Sequence, residues 1–71
     1  MKTGTARQGM RVRIIGNHNS HGFKIGQIVA LGEQSWREVN RYGYPFYAST
    51  GHGSHYIVRE ADIEPAGATV V

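Results

Sequence analysis

Four histidines fall into two pairs of equal spacing, His18-x-x-His21 and His52-x-x-His55. Imidazoles spaced this way can ligate zinc, copper or nickel. Neither pair has an interleaved carboxylate to orient a ring or serve as a base, and with no cysteine in the chain there is no thiolate ligand. We read both pairs as solvated loop residues and expect no metal and no cofactor. Ser49 and Ser54 lie close to His52 and His55, but a hairpin tip offers no buried pocket in which to activate a serine. The phosphate-loop pattern Gly-x-x-x-x-Gly-Lys-Ser/Thr is absent. Glu60, Asp62 and Glu64 bunch together and read as a capped, solvated corner rather than an acid–base pair. No catalytic residue is assigned, and the chain is expected not to be an enzyme.

The chemistry that remains is aromatic and basic. Trp36, Arg37, Arg41, Tyr42 and Tyr44 crowd one stretch, and Phe23 follows the first histidine pair. Trp, Tyr and Arg dominate the energetics of protein interfaces. The same residues stack on bases and hold phosphates. All eight Lys and Arg lie within residues 1–59, against Glu33 and Glu38, while the remaining three acids follow at 60–64. The net charge is +3 and the pI about 9.7. A basic body suits a polyanion or an acidic protein face.

A chain of 71 residues is one small domain, too short for a large enzyme with a deep pocket. No apolar run approaches the ~20 residues of a membrane span, so no membrane is expected as a partner. Lys2 and Arg7 have no apolar core behind them, so a secretory leader is not expected either.

Residues 1–9 are polar and aperiodic and read as a flexible lead-in, with 67–71 as a mobile tail. Met10 to Ile15 alternate, with Met10, Val12 and Ile14 on one side and Arg11 and Arg13 on the other, the mark of a half-buried strand. A polar loop follows at 16–22, then a second strand over 23–31 that bends or flips near Gly26. Trp36 and Val39 at helical spacing, with Ser35 and Glu38 as a capping pair, predict a short helical turn within 35–41. Residues 44–50 and 54–59 are aromatic and β-branched around Gly51-His52-Gly53, a hairpin. Glu60-Ala61-Asp62 reads as a tight turn before a last strand at 63–65. Five short strands around one core make an all-β, partly open barrel over 10–66. Its expected core is Val12, Ile14, Ile28, Phe46, Tyr56, Val58 and Ile63. Four tyrosines and a tryptophan exceed what such a core absorbs, so some should be exposed and mark a contact site.

Val12-Arg-Ile-Ile-Gly16 followed by Gly22-Phe-Lys-Ile-Gly26-Gln-Ile-Val29 resembles the KOW pattern, and Tyr56-Ile-Val-Arg-Glu-Ala-Asp-Ile-Glu-Pro65 is similar to the end of many SH3-like barrels. Small single-domain SH3-like proteins of phages and bacteria combine both halves. The first loop, Asn17 to His21, is longer than in KOW modules, and the aromatic segment 32–43 is an insertion relative to them. The resemblance implies a five-stranded SH3-like barrel whose loops 16–24 and 32–43 flank one end and form the binding face. The hairpin tip with His52 and His55 would then sit at the opposite end.

The binding residues expected on that face are Trp36, Arg37, Arg41, Tyr42 and Tyr44, with His18, His21 and Phe23 on its rim. The expected function is a binding module that docks this face on a larger host or phage protein. The alternative is a KOW-like nucleic-acid-binding accessory module. The expected setting is the cytoplasm, with a monomer when unbound.

Overall fold

The computed structural model describes residues 1–18, 20–35, 38–51, 53 and 55–66. Five strands are present: β1 (Arg11–Ile14), β2 (Ile28–Gln34), β3 (Pro45–Ser49), β4 (His55–Arg59) and β5 (Ile63–Pro65). A single 3-10 turn, Glu60–Asp62, joins β4 to β5 and is the only helix among the described residues. All pairings are antiparallel, and the sheet order is β4-β3-β2-β1-β5. This is the small, partly open all-β barrel expected from the strand count.

Alternation decides which side chains turn inward. In β1, Val12 and Ile14 are buried while Arg11 and Arg13 are exposed, because successive side chains of a strand point to opposite faces. In β2 the inward residues are Val29 and Leu31, and in β3 Phe46 and Ala48. With Ala6, Phe23, Val58 and Ile63 they form one core. The register between β2 and β3 shifts between Leu31 and Gln34, and such a bulge bends a strand and helps a small sheet curl.

Two expected core residues lie outside. Ile28 is 36% exposed and Tyr56 is 42% exposed. The second strand starts at Ile28 rather than at residue 23, so its inward set is Val29 and Leu31. Gly26 belongs to no strand: Gln27 N donates to Lys24 O, and Gly26 has φ +93°. That is a β-turn needing a glycine in the left-handed region, and it leaves Ile25 at its tip, 64% exposed. Phe23, before the turn, is buried.

The lead-in expected to be loose is packed against the barrel. Ala6 is buried, Gly9 N donates to Leu31 O, and Leu31 N donates to Met10 O. Of the helical turn expected within 35–41, residues 36 and 37 lie outside the described residues, and the rest carries no helix. Asn40 and Gly43 instead pair across a tight turn. The tail 67–71, His52 and Ser54 also lie outside the described residues. No helix among the described residues is long and apolar enough to cross a membrane.

Candidate functional site

The two loops expected to form the binding face do meet, through His18 and Tyr42. Their rings stack with centroids 4.5 Å apart and planes inclined by 22°. The Arg41 guanidinium carbon sits 5.0 Å from the Tyr42 ring centroid, within cation–π range. Three of the expected residues thus form one continuous group at the surface.

Arg41 and Tyr42 are the two central residues of the turn Asn40–Gly43. Gly43 N donates to Asn40 O at 2.9 Å, and Tyr42 N to the Asn40 side-chain Oδ1 at 2.8 Å. Asn at the first position and Gly at the fourth suit a type I turn. Gly43 has φ +90°, and a Cβ there would lie 2.7 Å from Glu60 Cβ, so only glycine fits on both counts.

Three residues of one short run, Arg59, Glu60 and Asp62, hold both loops in place. The buried Arg59 guanidinium donates from Nη1 to Gly43 O at 2.8 Å and to Glu38 O at 3.1 Å, gripping two points of the second loop. The fully buried Glu60 carboxylate accepts from Tyr44 N at 2.8 Å, Ala6 N at 2.9 Å and Gly4 N at 3.0 Å. Burial alone would push its carboxyl up. The backbone N–H groups of Tyr44, Ala6, Gly4 and Thr5 together outweigh burial and hold it below its ordinary range. Ala61 N donates to Tyr42 O at 2.8 Å, tying the turn down once more.

Asp62 fixes the first loop. Its carboxylate is fully buried, accepts His18 N at 3.0 Å and lies 2.5 Å from His18 Nδ1. Gly16 lets the loop pass close by, since a Cβ there would lie 2.8 Å from Asp62 Oδ1. With Nδ1 turned to Asp62, the outer edge of the His18 ring is Nε2, which no described residue bonds.

His21 and Phe23, expected on the rim, are interior. Phe23 N donates to His21 Nδ1 at 3.2 Å, so the ring carries its proton on Nε2 and donates it to Gly16 O at 2.7 Å. Both nitrogens are used in bracing the loop, and neither is left for a metal. Phe23 packs edge-on against Tyr56, with centroids 5.0 Å apart. Tyr44 is half-buried against the core. Trp36 and Arg37 lie outside the described residues.

The residues missed from sequence are the anchors. Glu60 and Asp62 were expected at a solvated corner, yet both are fully buried. Glu64 alone fits that expectation, half-exposed and paired with Arg13 at 2.9 Å. A signal for the turn was present in Asn40-Arg-Tyr-Gly43, which the Trp36–Val39 spacing masked.

No family model, curated protein or solved structure matches the chain.

Proposed function

We propose that this chain is a non-enzymatic binding module that docks its loop face on a larger protein. The contact is centred on Tyr42, Arg41 and His18, with Trp36 and Arg37 contributed by the same loop. The observation that carries the reading is the His18–Tyr42 stack held from below by buried Asp62, Glu60 and Arg59. Contact residues that are already ordered lose little conformational freedom on binding, so more of their interaction energy appears as affinity. The buried carboxylates and guanidinium are spent on holding loops, a use of polar burial that a merely solvated surface would not require. Val39 lies on the second loop, and Ile15 and Ile25 flank the first; all three are exposed and widen the apolar area available to a partner.

The setting proposed is the cytoplasm of a bacterium, with the module encoded by that bacterium or by its phage. The test is tagged purification from such cells, with nuclease, comparing wild type with Tyr42→Ala. A stoichiometric protein kept by the wild type and lost by the variant supports the reading. Retention by both sinks it.

A further inference from the structure

The outer face of the sheet is built differently from a solvated surface. Cross-strand pairing places Arg11 beside Ala30, Ala30 beside Ser49, and Ser49 beside His55. The neighbouring row sets Glu64 beside Arg13 and Arg13 beside Ile28. The middle of this face is therefore small, with Ala30, Gly32 and Ser49 as its floor. Larger groups stand at its sides: Arg11 and Arg13 at one end, Tyr47 and His55 at the other. Three shallow grooves lie on it, and they share residues. Arg11 and Ile28 line the first and second, and Ala30 and Ser49 line the first and third. They form one trough that crosses the four strands β1 to β4, roughly 14 Å at about 4.8 Å per strand spacing. Neither His18, Arg41 nor Tyr42 lines it.

We propose that this trough is a second binding surface and that its ligand is single-stranded nucleic acid. The charge is of the right sign. Arg11 is exposed and has no carboxylate in ion-pair range among the described residues, while Arg13 shares its charge with Glu64 at 2.9 Å. Tyr47 is 43% exposed and stands beside the side-chain-free Gly32. A base can lie against such a ring, and stacking on it needs no particular sequence. Ser49 on the floor and His55 at the far end offer hydrogen bonds. An extended acidic peptide would use Arg11 and Arg13 but has no planar group for Tyr47, so the aromatic favours nucleic acid. The trough and the loop face belong to different parts of the barrel, and either can fail without the other.

The test is fluorescence anisotropy with a labelled oligothymidylate of about 12 nucleotides, titrated between about 50 and 200 mM salt. The wild type should bind, with affinity falling as salt rises. Arg11→Gln should weaken binding and flatten the log–log salt slope by about 0.7. Tyr47→Ala should weaken it at least about fivefold, while Tyr47→Phe, which keeps the ring, should restore it. Glu64→Gln, by removing the carboxylate that competes for Arg13, should tighten binding severalfold. A gain of this kind cannot come from unfolding. Tyr42→Ala should leave it unchanged. No binding by the wild type at the lowest salt overturns the proposal. So does indifference to both Arg11→Gln and Tyr47→Ala, or loss with Tyr42→Ala alone, which would put the strand on the loop face. Equal binding of a poly-glutamate peptide, independent of Tyr47, would assign the trough to an acidic peptide instead.

Discussion

Asp62 is fully buried, and the ring it holds, His18, has a side chain 51% exposed. One carboxylate thus links the core to the surface and sets the angle at which His18 meets Tyr42. Asp62→Ala should free the first loop: His18 N and the ring both lose their acceptor, at a cost of about 2–3 kcal/mol. Amide exchange should show the loss of protection concentrated at residues 16–22, with the sheet amides less affected. Uniform loss across the sheet would mean that Asp62 serves the fold as a whole.

Glu60 ties the lead-in to the entry of β3, and its carboxyl is held below its ordinary value of 4.5. The folded state therefore releases this proton more readily than the unfolded chain does. The stability it contributes is complete above about 4.5 and is lost as pH falls through the lower folded value. Glu60→Gln should be less stable than wild type at neutral pH and should lose less stability on acidification below 4.5. Urea unfolding at a series of pH values measures this. Parallel curves for the two proteins would contradict it.

Arg59 donates to two loop carbonyls from a buried position. Arg59→Met keeps much of the apolar stem but removes the donors, and should cost about 2–3 kcal/mol. Arg59→Lys should not restore the loss, because its ammonium ends one bond short of Nη1, the single nitrogen that makes both contacts. Thermal melts of the three proteins decide the matter; full rescue by lysine would show that charge alone suffices.

The faces of β2 give a sharp contrast. Leu31→Ala removes a side chain that is 3% exposed and should cost about 2–5 kcal/mol. Ile28→Ala removes one that is 36% exposed and should cost about 1 kcal/mol or less. Denaturant midpoints that rank them the other way would mean the strand faces are reversed.

Much of the barrel was legible because strand alternation is a local property. Arg11–Ile14 shows it in four residues, and the Gly51–Gly53 hairpin announces itself by composition. Ile28 was misjudged because the Lys24–Gln27 turn resets the parity: once Gly26 is in a turn, the count begins afresh at Ile28. The meeting of the two loops followed from the fold, so the juxtaposition of His18, Arg41 and Tyr42 was legible. His21 and Phe23 were misplaced because a polar loop near an apolar core can turn residues inward, and His21 satisfies both ring nitrogens by doing so. Glu60 and Asp62 were misread for a related reason. Acidic residues favour water, and only three-dimensional proximity shows the backbone N–H groups, Gly4 and Ala6 for one and His18 for the other, that replace it.

The central claim is that the stacked loop face carries the protein contact. The most direct measurement is the affinity of the co-purified partner for wild type, Tyr42→Ala and Arg11→Gln, each checked for an intact fold by its amide spectrum. Tyr42→Ala should weaken binding by about 2 kcal/mol or more, mostly through faster dissociation, as expected for a central aromatic anchor. Arg11→Gln, on the other face, should bind as the wild type does. Unchanged affinity in Tyr42→Ala, with loss confined to Arg11→Gln, would contradict the account and move the protein contact to the outer face of the sheet.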